Sequence, residues 1–450
     1  MTDCNAATSE TQARFPFFRP QQVTVRFDEG AITSDAGVLL VRQLDDRLGL
    51  TAALAESLVE WRNPVFVVHP MHDLVRERVF GIAQGYEDGN DAASLREEPL
   101  FKAACADRDN DGVPLASQPS LSRFENRASK RGLAMAKRVL LSHFIGRYKR
   151  KFARPRRLTL DLDTTADPTH GQQELAFFNG YYRTHCYQHL LIHTAEGDLL
   201  HASLLPGKGD VREAALTALQ TVISKLREAF PDLALRLRAD NGFACPALYD
   251  YCEDQGIEYV VNAGTHQKMV AETEELQARA VQLLETFDEK VPVKVYGEFQ
   301  YQAKTWRAPR RIIAKAAHTL VGPDERLLVT NAKSAPVDVY DFYAGRGQEE
   351  NWIKDLKRAL KSDRLSCTAF AANELRLLLF ACAYQLLHEL RRKARGQLRN
   401  MRLETMRLRF LRVAATVDRS VRRLWVRVSA AYPWREDWLR LARAVGAAVD

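Results

Sequence analysis

The chain has 450 residues, with 65 lysines and arginines against 57 acids and a formal charge of +8. That length suits two or three domains better than one average core, and the positive balance points weakly to a polyanionic partner. Seven scattered cysteines without a Cys-x-x-Cys pair read as reduced thiols of a cytoplasmic protein; the polar start lacks an export signal, and no run of about 18 uninterrupted apolar residues offers a membrane span.

Residues 1–30 are polar and aperiodic and read as an arm. From 31 to 153 helical spacing dominates: Ser34 can cap a helix carrying Leu39, Leu40 and Leu44, and further helices are expected at Met71–Gly85, Asp91–Ala104 and Gly132–Lys149. Ser122 and Glu125 have capping-box spacing, which predicts a helix start there. The helical N-terminal domain this implies is a candidate for binding DNA ends, and both a helix-turn-helix and a plain bundle fit its pattern.

At Arg157 the texture changes. Leu158, Leu160 and Leu162 alternate with Thr159, Asp161 and Asp163, the period of a strand with one apolar and one acidic face. Runs at His185–His193 and Leu199–Leu205 complete an antiparallel meander. Asp210 then caps a helix reaching Leu226. Leu233–Asp240, a helix at Pro246–Asp254 and Ile257–Asn262 follow as a strand–helix–strand unit, so the sheet is expected to be mixed, antiparallel first and parallel later. Between 265 and 335 a helix and three β-like runs read as an inserted, mainly β subdomain. The first part of the core is thus 154–264, its remainder 336–395, and 396–450 is expected to be a basic helical C-terminal region. Dense arginines from Arg376 to Arg443 read as a phosphate track or as a solvated helix surface.

The segment Tyr343-Ala-Gly-Arg346-Gly-Gln-Glu-Glu350-Asn-Trp-Ile-Lys354-Asp-Leu-Lys357 places an aromatic, an arginine, a carboxylate and two lysines three or four residues apart, on one face of a helix. Ordinary surface pairs give the same pattern. Its weight comes from two other acids at the ends of strands, Asp163 and Asp240. Three converging carboxylates would repel one another and take up protons unless a cation joined them, which is how phosphoryl transfer holds divalent metal. Asp161 shares the face of Asp163 and is the alternative first ligand; Asp163 is preferred as the nearer to the strand end. His185, His189, His193 and His201 do not make a zinc site, since four residues of strand span about 13 Å. Trp306, beside Arg307, Arg310 and Arg311, reads as a ring packing the insert.

Leu160-Asp-Leu-Asp163-Thr-Thr165, then Arg238-Ala-Asp240-Asn-Gly-Phe243, then Tyr343, Arg346, Glu350 and Lys357 separated by two, three and six residues, resemble the bacterial insertion-sequence DDE transposases, in the branch with the Y-R-E-K signature. The resemblance is strong over 155–395 and extends to Phe27–Asn126, through Ala31–Gly37 and Pro119–Asn126. It implies a ribonuclease H-like α/β core interrupted by a β insertion. It further implies that Asp163, Asp240 and Glu350 hold two Mg²⁺ ions, with Mn²⁺ as a substitute, to cut element ends and join the freed 3′ hydroxyls to target DNA. Tyr343, Arg346 and Lys357 match positions that contact terminal phosphates. Lys354, Arg310 and Trp306 are further candidate DNA contacts. A homodimer is expected, because two ends must be held together. A silent DNA-binding protein of the same fold and a metal nuclease without strand transfer are the competing readings.

Overall fold

The computed structural model of the chain describes residues 12–15, 23–26, 30–106, 113–152, 154–264, 267–286, 293–319, 322–420 and 423–449. In chain order its strands are β1 (Gln12–Phe15), β2 (Val23–Arg26), β3 (Ile32–Thr33), β4 (Arg157–Pro168), β5 (Phe177–Asn179), β6 (Thr184–Thr194), β7 (Leu199–Leu205), β8 (Ala234–Ala239), β9 (Glu258–Asn262), β10 (Val293–Tyr301), β11 (Arg310–Thr319), β12 (Gly322–Thr330), β13 (Ala415–Ser420) and β14 (Arg423–Val428). Most of the arm expected over 1–30 lies outside the described residues, within which β1 and β2 pair as an antiparallel hairpin.

The alternation at 158–163 produces the central strand of the molecule. Leu158, Leu160 and Leu162 point into one core beneath helices Val211–Ala229 and Pro246–Asp254, so Asp161 and Asp163 must face the other way. β4 pairs parallel with β8 and antiparallel with β6. The nine-stranded sheet runs β10–β11–β12–β9–β8–β4–β6–β5, with β7 beside β6, and only β9–β8–β4 are mutually parallel. The mixed sheet is thus antiparallel in its first strands and parallel in the strand–helix–strand unit. The insertion does not form a separate sheet: β12 pairs with β9, so β10, β11 and β12 extend the central sheet at its edge, with helix Glu274–Thr286 against them.

Asp210 caps the helix Val211–Ala229 as expected, accepting from the amides of Arg212 and Glu213 at 2.9 and 3.2 Å. Two other helix starts differ. The first N-terminal helix begins at Val38, capped by Gly37, while the Ser34 hydroxyl donates to Asp35; the helix holding Ser122 and Glu125 begins at Gln118, and Glu125 instead pairs with Arg78 at 2.7 Å. Long-range ion pairing outcompetes local capping there. The stretch 91–104 is broken into short turns by Pro99 at a helix N-terminus.

The helix Phe370–Lys393 is long and apolar enough to cross a membrane by length and composition, yet 89% of its apolar 18-residue stretch is buried inside the fold. It packs against β7 and the helices Met71–Gln84 and Lys130–Lys151, joining side chains of the N-terminal third, the sheet and the C-terminus in one core. The C-terminal region is not wholly helical: β13 and β14 form a hairpin that β3 extends to a three-stranded sheet. Many of the arginines between Arg376 and Arg443 serve the fold. Arg376 lies beside Glu125, Arg391 bonds Asp355 at 2.6 Å, Arg392 bonds Asp198 at 2.8 Å, and Arg407 donates to the carbonyls of Ala83 and Ile82. The phosphate track read from arginine density therefore holds only for those that face outward.

Candidate active site

Pairing register creates the site. The last parallel pair between β4 and β8 is Leu162 with Ala239, so the next residues, Asp163 and Asp240, leave the carboxyl end of the parallel unit side by side. Ligands of open α/β sheets bind at this edge. Asp163 is not at the end of its own strand, because β4 continues to Pro168 along β6, but it is the first residue beyond the reach of β8. One Asp163 oxygen accepts from the Thr164 amide at 2.7 Å. The other accepts from Arg346 Nη2 at 2.6 Å, and the same nitrogen lies 3.9 Å from Asp240 Oδ2. Asp240 also caps a short turn through Gly242 N at 2.9 Å.

Asp161 is held elsewhere. Its two oxygens accept from Nε and Nη2 of Arg238, both at 2.6 Å, and the pair is buried. Arg238 Nη1 donates to the Phe342 carbonyl at 2.8 Å, tying β8 to the C-terminal end of helix Pro336–Ala344. That tie sets where Arg346 begins the next helix, Gly347–Lys354. The segment 343–357 is not one continuous helical face. It turns between Tyr343 and Arg346 and widens into a π-helical turn at Asp355–Ala359, which rotates the residues that follow.

The signature side chains consequently diverge. Tyr343 is buried among Val260, Ile313, Leu328 and Val339 and is not presented to a phosphate. Arg346 spans the two aspartates. Glu350 points outward, its side chain 62% exposed and 3.3 Å from Lys354. Lys357 Nζ reaches back to β4, donating to the Ala166 carbonyl at 2.7 Å and to Thr165 Oγ1 at 3.2 Å. Arg310 is buried and bound by Glu253 and Asp250, and Trp306 packs edge-on against Tyr249 and Tyr301. Neither is placed as a DNA contact. The insert needs both for its own packing, since Arg310 lies over the Trp306 ring at 5.3 Å.

Charge in the site is crowded. Burial pushes the Asp163 carboxyl up to about 7 against the pull of Arg346, and the fields of Asp240 and Glu350 add to the rise. Glu349, adjacent to the predicted ligand, is wholly buried; burial, then Asp163 and Asp161, hold its carboxyl well above the usual range. Its Oε1 lies 3.4 Å from His193 Nδ1, and burial lowers that imidazole to about 3, so it is neutral. Among the described residues no three His, Cys, Asp or Glu side chains gather closely enough to hold a metal ion; Asp163 and Asp240 share the Arg346 guanidinium.

Sequence reasoning missed several neighbours. Arg238 carried a signal: it stands two residues before Asp240, on the strand that pairs with Asp161. Glu349 had none beyond adjacency to Glu350. Tyr181 and Tyr182 follow Asn179-Gly180, a turn signature, and form a tip whose Tyr181 is 85% exposed. Burial, with the fields of Asp163 and Asp240, raises the Tyr182 hydroxyl. That tip borders the acids.

The sequence matches the family described as Transposase DDE domain group 1 over residues 15–447, nearly its whole length. The chain belongs to that family. The paired aspartates beside the Arg346 helix are therefore described in a DDE transposase domain. No curated protein matches the chain. Among solved structures, a piggyBac transposase synaptic complex with hairpin DNA is similar at 10% identity with a TM-score of 0.40, over 84% of this chain and 81% of that one.

Proposed function

We propose that this DDE transposase-family protein cuts DNA at the ends of an insertion sequence and joins the 3′ hydroxyls to target DNA, with Asp163, Asp240 and Glu350 as its acidic triad. The Y-R-E-K branch and a bacterial element are part of that reading. The observation that carries it is the register of β4 and β8, which sets Asp163 and Asp240 side by side around one cation. Asp161 is committed to Arg238, which favours Asp163 as the first ligand.

Carboxylate oxygens suit a hard divalent ion by their chemistry, but the three acids are not gathered around a common centre: Asp163 and Asp240 face Arg346 and Glu350 points outward, so Glu350 would have to turn inward to complete a metal site. Mg²⁺ held there would supply an activated water and neutralise charge on the transferring phosphate. The protein's own contribution is positional. Arg346 holds the two aspartates together and offers a donor to a phosphate oxygen, and Lys357 places a second cation against β4. A homodimer holding two ends completes the proposal.

The outward Glu350 favours a second reading, a DNA-binding protein that keeps the fold without chemistry. Purified protein, Mg²⁺ and a supercoiled plasmid carrying the element's ends separate the two. End-specific breaks followed by joining support transposition, binding without breaks selects the second reading, and breaks without joining indicate a nuclease. Asp240→Asn is expected to abolish cleavage while sparing DNA binding; full cleavage by that variant overturns the site.

A further inference from the structure

Between Glu404 and Glu436 the sequence has eight arginines and a single acid, Asp418. Arg407 and Arg412 are used inside the fold, the first on backbone carbonyls and the second on Asp35 and Tyr86. Arg423 and Arg427 are not. On β14 the alternate residues Leu424, Val426 and Val428 pack against the core, which turns Arg423, Trp425 and Arg427 to the solvent. Register sets Ser420, Asp418 and Thr416 opposite them on β13. Trp425 is 46% exposed, and the two guanidinium groups flank its ring at 5.5 and 5.6 Å. Arg427 has an exposed partner in Asp418 at 2.8 Å; Arg423 has no acidic partner among the described residues.

We propose that the outward face of the β13–β14 hairpin binds the sugar–phosphate backbone of duplex DNA, Arg423 and Arg427 each contacting a phosphate and Trp425 lying between them. This rests on the transposase reading. Charge complementarity carries it: two arginines stand forward on a strand whose remaining outward neighbours are small or polar. Stacking on the indole pre-orders both side chains, lowering the entropy lost on contact. With the guanidinium groups 5.5 and 5.6 Å from the same indole, the two stand no more than about 11 Å apart, a spacing that lets each meet a different phosphate. The core-facing residues already anchor the hairpin, so its outward ladder is open to a partner.

The test uses full-length protein in chelator-containing buffer and a labelled duplex of random sequence, with affinity followed across a salt series. Arg423→Gln with Arg427→Gln is expected to flatten the dependence of log affinity on log salt by about 1.8, the loss of two phosphate contacts. Trp425→Ala is expected to weaken binding about two- to fivefold with the slope retained. Asp418→Asn supplies a readout that a purely structural hairpin would not give: it frees Arg427 and should tighten binding, whereas unchanged or weaker binding counts against the proposal. Melting temperatures confirm that the variants are folded. Wild-type affinity and slope in the double variant overturn the hairpin assignment while leaving cleavage through Asp240 intact. Wild-type protein that fails to bind any duplex overturns both readings.

Discussion

Glu77 shows how a single residue can make stability depend on pH. It is 4% exposed, its Oε2 accepts from the Ala116 amide at 3.0 Å, and its Oε1 has no hydrogen-bond partner among the described residues. Burial pushes its carboxyl up to about 8. A carboxyl raised on folding retains a proton that the unfolded chain has already released, so stability falls as pH rises from the unfolded value near 4.3 to about 8, by about 1.4 kcal/mol per unit at most. Glu77→Gln keeps an acceptor for Ala116 and removes the ionisation. Its melting temperature should match wild type near pH 4 and exceed it increasingly toward pH 8; a constant difference would refute the assignment. The Asp161–Arg238 pair differs in that each group has its counter-ion, although burial still raises the Asp161 carboxyl against the pull of Arg238. Arg238→Ala strands a buried carboxylate and frees the end of helix Pro336–Ala344, so a loss on the order of 3–5 kcal/mol is expected in denaturant unfolding. Arg238→Ala that unfolds like wild type would show that the pair holds nothing.

At the scale of elements, the junction between the first N-terminal helix and the turn Arg407–Leu411 leaves no room for a side chain. Gly37 donates to the Leu411 carbonyl at 3.1 Å, and a Cβ there would lie 2.1 Å from Phe410 O and 2.3 Å from Leu411 Cα. Backbone atoms on both sides must move, so Gly37→Ala should cost about 3 kcal/mol or more, read as a lowered denaturation midpoint with the denaturant slope unchanged. This junction also explains what the sequence concealed. Ser34 has the chemistry of a cap, but the chain at Ala36 and Gly37 bonds the backbone of 411–413, and the helix starts after it. Alternation made β4 and β8 legible, and unbroken β-prone runs did the same for β6, β7 and β9, because the pairing partner of each lies next to it in sequence or one crossover away. The β13–β14 hairpin was hidden by its arginines, which helical surfaces also favour. At the candidate site, the two aspartates could be placed from strand ends alone. The outward Glu350 and buried Glu349 could not, because the π-helical turn and the Arg238 tie that orient their helix are set by distant residues.

The molecule as a whole is held by the helix Phe370–Lys393. Sequence boundaries suggested a helical domain ending near 153 and a separate core beyond it, yet Phe80 and Leu140 of the N-terminal third, Leu191 and Leu204 of the sheet, and Phe410 and Leu441 near the C-terminus share one core around this helix. Residues so far apart in sequence give no local signal that they will meet. The packing has a thermodynamic consequence: the N-terminal helices and the sheet cannot unfold independently without exposing the apolar surface that each covers on the other. Phe380 lies at that junction with no exposed area. Phe380→Ala removes a buried ring from a site that helices on several sides hold open, a change that costs about 3–5 kcal/mol in comparable cores. Calorimetry should therefore show one transition in the wild-type protein and one transition at lower temperature in the variant, with helical and sheet signals lost together. Two separated transitions, of which only one moves in Phe380→Ala, would show that the sequence boundary near 153 divides the molecule after all.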